Sequence, residues 1–319
     1  MTTTQYEPQM WPKLSWDAWK DTAETLHMWT QIVGKTRLAL TPLLNHWWNV
    51  PLYLTARGLT TSAMFHGALG LEIRLDLLDH QLEVSTSDGT YGRLPLAPQT
   101  VAAFHARLMS LLGDLGAPVR IWTTPCELPD PIPFERDLVH EDYDREAVER
   151  FFRALLAADR VLGRFRAGFI GKASPVHFFW GSFDLAATLF SGRRAPERPG
   201  TDRITREAYS HEVFSAGFWP GDAREDACFY AYAAPEPEGF AGARVPAGAY
   251  HQGLKEFVLP YEEVRTADDP EERLLAFLGA AYRAAADLGG WDRAALERAP
   301  PAARPEGEPT APPPPPTVH

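Results

Sequence analysis

The chain has 319 residues, of which 45% are hydrophobic and 23% charged, and its formal net charge is −11. The apolar fraction is typical of a globular protein, and the length fits one large domain or two small ones. The acidic balance argues against nucleic acid as the main partner, because binding a phosphate backbone requires clustered basic residues. Two cysteines, Cys126 and Cys228, cannot build a disulfide framework or a four-thiolate zinc site.

Hydropathy gives no sign of a membrane or secretory segment. No stretch approaches the roughly 20 uninterrupted apolar residues that a membrane span needs. The N-terminal sequence MTTTQYEPQMWPKLSW also lacks the basic start and the apolar core of a secretory signal. We therefore expect a soluble, reduced, cytoplasmic protein without a membrane partner.

Two amphipathic helices with the same spacing are predicted, one near the start of the chain and one beginning near Asp144. The apolar positions of the first are Trp19, Ala23, Leu26, Thr30 and Val33. Those of the second are Phe151, Leu155, Ala158, Leu162 and Phe165. Steps of three and four residues place each set on one helix face.

Each helix is followed by a strand-like segment that opens with His and aromatic residues, at 46–57 and 177–188. Aligned without gaps, these segments pair His46 with His177. Further strands are expected in each half, followed by a closing helix. The expected strands are 71–77 and 81–86 in the first half and 212–218 and 227–233 in the second, each set followed by a short Leu-Pro strand.

The sequence therefore predicts an α+β fold built by tandem duplication of an α-β-β-β-β-α unit, with mainly antiparallel sheets and flanking helices. The first half with its linker spans 1–143. The second half spans 144–298 and carries an insertion around 193–256. Residues 299–319 include nine Pro, five of them consecutive, which predicts a disordered tail; a Pro-rich ligand for an aromatic groove is the alternative.

Several long motifs carry a family resemblance. They are His177-Phe-Phe-Trp-Gly-Ser-Phe-Asp-Leu185, Tyr209-Ser-His-Glu212, Ala216-Gly-Phe-Trp-Pro-Gly221 and Asn45-His-Trp-Trp48. In these motifs the chain resembles an uncharacterised bacterial family, a domain of unknown function, over nearly everything from Trp11 to Ala299. The resemblance implies no established activity.

Alternation along a strand divides the polar residues of the two His-aromatic segments between two faces. In the second half, His177, Phe179, Phe183 and Leu185 are expected on one face, opposite Trp180, Ser182, Asp184 and Thr188. In the first half, the expected apolar face holds His46, Trp48, Leu52 and Leu54, and the other face holds Asn49, Tyr53, Thr55 and Arg57. A His on an apolar face is explained by a core position in which the ring is hydrogen-bonded, and we expect this for His46 and His177. A role in a functional site is the alternative.

Asp184 and Arg57 are charged residues in the middle of apolar segments, where an unpaired charge is very costly. Pairing within the fold is the commoner arrangement, whereas the nearby aromatics favour a polar pocket. We predict Asp184, His211 and Glu212 as catalytic acid–base residues. The predicted substrate-binding residues are His46, Trp48, Tyr53, Arg57, His177, Trp180 and Trp219.

A mixed nitrogen and oxygen metal site of the non-haem iron or zinc kind is an alternative use of Asp184, His177, His211 and Glu212. Their spacing is not diagnostic, so neither a metal nor a cofactor is assigned. The sequence also lacks the G-x-S-x-G, P-loop, G-x-G-x-x-G and H-E-x-x-H signatures.

Two functional hypotheses remain. The first is an enzyme acting on a small molecule in a pocket at the junction of the halves, with Arg57 binding an anionic group. The second is a non-catalytic ligand-binding or protein-interaction module, with self-association into a homo-oligomer left open. A closed pocket with converging, perturbed carboxylates would favour the first, and a broad, shallow aromatic surface would favour the second.

Overall fold

The computed structural model describes residues 10–299. The predicted Pro-rich tail therefore lies outside the described residues, apart from Ala299. The helices of the described range are α1 (Lys20–Leu40), α2 (Val101–Asp114), α3 (Arg145–Ala167), α4 (Arg203–Ala208), α5 (Tyr261–Arg265), α6 (Pro270–Leu288) and α7 (Arg293–Leu296). None of them is long and apolar enough to cross a membrane.

The strands fall into two antiparallel sheets of six strands each. The first sheet contains β1 (Tyr53–Thr55), β2 (Gly58–Thr60), β3 (Met64–His66), β4 (Leu69–Asp76), β5 (Gln81–Thr86) and β6 (Tyr91–Pro95). The second contains β7 (His177–Phe179), β8 (Asp184–Arg194), β9 (His211–Gly221), β10 (Asp226–Ala234), β11 (Ala249–His251) and β12 (Glu256–Pro260). The predicted α+β fold class is confirmed.

The two sheets have the same connectivity, which supports the predicted duplication. In the first, the strand order is β1-β2-β4-β5-β6, with β3 added against β4; in the second, it is β7-β8-β9-β10-β12, with β11 added at the edge. The strands of the first sheet follow the long helix α1 and precede α2. Those of the second sheet follow α3 and precede α6. Each repeat thus contains a meander of five strands, one more than the four that the sequence predicts.

The two halves meet directly beside their first strands. Leu52 and Phe178 exchange two backbone hydrogen bonds of 2.9 Å. An antiparallel pairing between equivalent strands is the arrangement that a twofold axis produces. Behind this contact, the rings of Trp19, the N-cap residue of α1, and Phe151 on α3 lie 4.9 Å apart between centroids, so one hydrophobic core spans both halves.

The second long helix begins where its sequence predicts, and the first packs its predicted face against the core. The Asp144 carboxylate caps α3 by accepting hydrogen bonds from the backbone N–H groups of Glu146 and Ala147, at 2.9 and 3.3 Å. Trp19, Ala23, Leu26, Thr30 and Val33, the positions predicted to face the core from the first helical segment, are all buried.

The segment 46–57 is not one strand, contrary to the prediction. His46 and Trp47 take left-handed backbone angles, with φ of 56° and 60°, and belong to a short 3₁₀ turn; the strand starts only at Tyr53. Because the chain turns here, the side chains of 46–57 do not alternate between two faces of one strand. The faces predicted for these residues are therefore wrong. The gap-free pairing of His46 with His177 is also wrong, because His177 lies in β7.

A second turn changes the faces predicted for residues 177–188. β7 and β8 are separate strands, and Phe183 between them has a φ of 61°. Their register pairs Phe179 with Asp184 and His177 with Ala186. Since directly opposed residues of neighbouring strands share a face, His177 and Phe179 lie on the same face as Asp184, not on the opposite one.

Candidate functional site

A cavity of about 330 Å³ lies against β8, β9 and β10 of the second sheet. Alternating positions on these strands supply its polar floor, namely Asp184, Thr188, Ser215, Tyr230 and Tyr232. The walls carry five large aromatic side chains, Trp47, Trp48, Phe179, Trp180 and Phe190. A mostly apolar cavity with a few converging polar groups is typical of a small-molecule site, and this volume is at the lower end of the usual range.

Asp184 is the buried carboxylate of this floor, with 6% of its surface exposed. The hydroxyl groups of Ser182 and Tyr230 both donate hydrogen bonds to it. Burial raises the pKa of Asp184, although the two hydrogen bonds act in the opposite direction. The sequence correctly predicts that Asp184 and Thr188 share a face, and that face is the cavity floor.

The contact between Tyr230 and Asp184 depends on a glycine. Gly217 on β9 pairs with Tyr230 on β10, and a Cβ at this position would lie closer than 3.0 Å to the Tyr230 hydroxyl and to the Leu185 carbonyl oxygen. Burial and the neighbouring carboxylate raise the pKa of Tyr230 well above its usual value. The phenol therefore stays protonated and donates to Asp184.

Glu127 provides a second carboxylate at the cavity. Its backbone is left-handed, with a φ of 59°, and its Oε1 lies so close to Gly181 that any Cβ there would collide with it. Burial of the carboxylate and the charge of Asp184 raise the pKa of Glu127. The residue as a whole is exposed, so it marks the open side of the cavity. We call Asp184 and Glu127 the acid pair.

The loop that carries Glu127 is held by α1. The Gln31 side chain donates to the Cys126 carbonyl at 3.0 Å and accepts from the Cys126 N–H at 2.9 Å. Lys35 donates to the Thr124 carbonyl at 2.7 Å. The sequence does not mark Glu127 as a site residue, because it is a lone Glu among the prolines of 125–133, a composition typical of a linker.

His46 holds a cover over the cavity, which we call the roof: the turn Asn45–Trp47 together with α4. The His46 Nδ1 lies 3.1 Å from the Glu207 carbonyl oxygen and 3.2 Å from that of Ala208, at the end of α4. Its Nε2 lies 2.6 Å from the Lys172 ammonium. Burial and the Lys172 charge lower the pKa of His46. A neutral ring that donates from Nδ1 and accepts at Nε2 satisfies all these contacts.

The structure brings together only part of the predicted site. His46, Trp48, Trp180 and Asp184 line the cavity, and Trp180 is fixed by a 2.8 Å hydrogen bond from its Nε1 to the Val50 carbonyl. The other predicted residues, Tyr53, Arg57, His177, His211, Glu212 and Trp219, do not line it.

His177 and Tyr53 form a cluster beside the cavity, with ring centroids 5.5 Å apart. His177 is 1% exposed, and burial together with the charges of Arg37 and Arg166 lowers its pKa to about 3. It is therefore a neutral core residue at physiological pH, which is the structural interpretation that the sequence left open.

Arg57 and Glu212 are paired with other charges away from the cavity. Arg57 lies in the turn between β1 and β2 and forms ion pairs with Asp76 at the end of β4 and with Asp79 in the turn that follows. Glu212 forms an ion pair of 2.7 Å with Arg193. On β9, Glu212 alternates with Val213 and Ser215, which line the cavity, so its side chain is directed to the opposite face.

His211 and Trp219 lie on the same strand as Glu212 but at its two ends. The His211 ring is 5.3 Å from that of His46 in the roof, and His211 does not line the cavity. Trp219 is paired with Cys228 in the sheet. Within residues 10–299, no group of three or more His, Cys, Asp or Glu could hold a metal ion, so the mixed metal site that the sequence left as an alternative is not formed by these residues.

A family model matches residues 11–298 of the chain, the range that contains the cavity, its roof and both sheets. The chain belongs to the family of unknown function DUF5996. This membership agrees with the resemblance found in the motifs. No curated protein and no solved structure matches the chain.

Three tyrosines of the cavity could not be assigned to it from the sequence. Tyr209 follows the end of α4 and Tyr232 lies on β10. Their hydroxyl oxygens are 2.9 Å apart, a contact that only the fold creates. Tyr230 on β10 looks like ordinary sheet packing in the sequence. Its hydrogen bond to Asp184 makes it part of the site.

Proposed function

We propose that this protein is an enzyme that converts a small molecule by general acid–base catalysis at the acid pair. The observation that carries the proposal is the position of Asp184: a buried carboxylate, held by Ser182 and Tyr230, at the floor of a cavity that a second carboxylate also lines. Carboxyl groups with raised pKa values in a cavity are suited to proton transfer near neutral pH.

The different surroundings of the two carboxylates support different roles. Asp184 accepts two hydrogen bonds, which stabilise its ionised form, so we assign it the role of proton acceptor. None of the described residues donates a hydrogen bond to Glu127, and the charge of Asp184 raises its pKa. Glu127 is then the proton donor, and the two roles follow from environment, as in other enzymes with unequal carboxyl pairs.

The lining of the cavity suggests the chemical class of the substrate. No Lys or Arg is among the described residues that line it, so an anionic substrate would find no cation beside the acid pair. Hydroxyl groups occur in pairs, Thr188 with Ser215 at 3.1 Å and Tyr209 with Tyr232 at 2.9 Å. We expect a neutral or cationic molecule with an apolar or ring portion against the tryptophans and polar groups that reach these hydroxyls.

A second candidate function is binding without conversion, favoured by the five aromatic side chains of the walls. The proposal also includes a cytoplasmic location, which suits the free thiols of Cys126 and Cys228. Bacterial origin and association into a homo-oligomer stay predictions of the sequence.

The test is to incubate the purified protein with a mixed metabolite extract and to follow the loss of individual compounds by mass spectrometry. The wild-type protein should consume a defined compound, whereas Asp184→Asn and Glu127→Gln should each consume it at least about a hundredfold more slowly. Arg224→Ala, at an exposed ion pair with Asp222, is the control. A compound that raises the melting temperature but is not consumed would support the binding function instead.

A further inference from the structure

A second concave region lies on the other side of α4 from the cavity, with a volume of about 570 Å³. Four arginines line it, Arg194, Arg198, Arg203 and Arg206. We call it the arginine cleft. The four guanidinium groups are notable because the whole chain carries a net charge of −11.

None of these four arginines forms an ion pair with any described residue. Two carboxylates, Glu197 and Glu207, also line the cleft, but neither is in an ion pair within residues 10–299. The cleft therefore keeps a net positive charge, four guanidinium groups against two carboxylates. Many exposed arginines on other surfaces are paired, as Arg224 is with Asp222 at 2.8 Å.

Aromatic rings hold two of the arginines in place of acidic partners. The Arg198 guanidinium lies 4.3 Å from the centre of the Tyr209 ring, and that of Arg203 lies 5.7 Å from the Trp47 ring. Stacking on a ring restricts a guanidinium while leaving its N–H donors free in the ring plane. These donors are thus available to a ligand at a small loss of side-chain freedom.

We propose that the arginine cleft binds a small molecule that carries a phosphate or diphosphate group. Planar guanidinium groups bind phosphate oxygens through paired hydrogen bonds, and several unpaired ones around one concave surface match a group with two or more negative charges. This proposal does not depend on the acid–base function of the cavity.

Charge favours a small anion over a nucleic acid. A long polyanion would extend beyond the cleft onto a protein surface whose overall charge is −11, where it would be repelled. A compact phosphate ester meets only the four arginines. The cleft also shares Tyr209 with the cavity, and α4 separates the two, so a bound anion would hold the roof of the cavity in place.

The experiment is isothermal titration calorimetry of the full chain with inorganic phosphate, inorganic pyrophosphate and a nucleoside diphosphate, at low and at high salt. Pyrophosphate should bind, and its affinity should fall as salt is raised. Arg203→Ala and Arg206→Ala should each weaken it about tenfold or more, because a charge-assisted hydrogen bond is lost. Binding of the nucleoside diphosphate more tightly than pyrophosphate would indicate that the cleft also holds the nucleoside.

The matched control is Arg224→Ala, which removes one exposed arginine of the same charge from another surface. It should leave the affinity unchanged, and unaltered melting temperatures would show that all the variants are folded. If Arg224→Ala weakened pyrophosphate binding as much as the cleft variants do, the weakening would be explained by the change in net charge alone. That result would overturn the proposal. Absence of pyrophosphate binding at millimolar concentration, or tighter binding of a single-stranded oligonucleotide than of pyrophosphate, would also overturn it.

Discussion

The hydrogen bond from Tyr230 to Asp184 permits a quantitative test of the site, through Tyr230→Phe. This change removes one hydroxyl and leaves the ring, so the packing against Gly217 and the stacking on Tyr232, with centroids 6.2 Å apart, are kept. A hydrogen bond to a charged group contributes about 1.5–3 kcal/mol, against about 0.5–1.5 kcal/mol for a neutral pair. We therefore expect Tyr230→Phe to lower the free energy of unfolding by the larger of these amounts at pH values where Asp184 is ionised.

Tyr232→Phe is the matched control, because Tyr232 lies on the same strand face and its hydroxyl meets only neutral groups, including that of Tyr209 at 2.9 Å. Urea unfolding followed by tryptophan fluorescence measures both variants across a pH series. The excess loss in Tyr230→Phe should shrink as the pH falls through the pKa of Asp184, and it should vanish in an Asp184→Asn background. Equal losses in the two variants at every pH would refute the charged hydrogen bond.

Three further changes test other parts of the fold and the site. Gly181→Ala should displace the Glu127 carboxylate and reduce substrate consumption in the metabolite assay without unfolding the protein; Gly113→Ala, where a Cβ meets nothing within 4 Å, should not. Because the pKa of Asp184 is raised, the wild type should lose stability relative to Asp184→Asn in urea titrations as the pH rises from about 4 through that pKa. The loss should be about 1.4 kcal/mol for each pH unit that separates the pKa of the folded protein from that of the unfolded chain. Asp76 behaves oppositely: burial alone would raise its pKa, but hydrogen bonds from Arg57 and two backbone N–H groups lower it. Its stabilising effect is therefore present above about pH 4 and lost as the pH falls further, so Asp76→Asn should flatten the acid limb of the stability curve.

The sequence predicted the regular elements well because their residues repeat with the period of the structure. The strand at 71–77 alternates Leu71, Ile73 and Leu75, and the structure has it at Leu69–Asp76. The helix after Asp144 starts at Arg145, where its cap predicts. In both cases local pattern and tertiary packing favour the same conformation.

Prediction failed where non-glycine residues adopt left-handed backbone angles. His46, Phe183 and Glu127 have φ of 56°, 61° and 59°, and none belongs to a residue type that marks a turn by itself. Each is held by contacts distant in the sequence, such as that of His46 with the end of α4. These residues lie at or beside the cavity, which is where strained backbone is expected to concentrate.

The site could be predicted only in part, for a related reason. Asp184 is recognisable as a charge inside an apolar segment, whereas its partner Tyr230 lies 46 positions further along the chain. α4 has six residues and no buried ones, so no hydrophobic periodicity indicates it. The roof and the arginine cleft depend on that short helix, and for this reason neither could be inferred from the sequence.

The common strand order of the two sheets allows equivalent positions of the two repeats to be compared. Asp184 begins the second strand of its repeat and pairs with Phe179; in the first repeat, the same place is taken by Gly58, which pairs with Thr55. A Cβ on Gly58 would collide with the Leu75 carbonyl oxygen, so no acidic side chain fits there. Of the two equivalent positions, only the one in the second repeat has room for a carboxylate side chain, so the duplication does not give the chain a second copy of the candidate site.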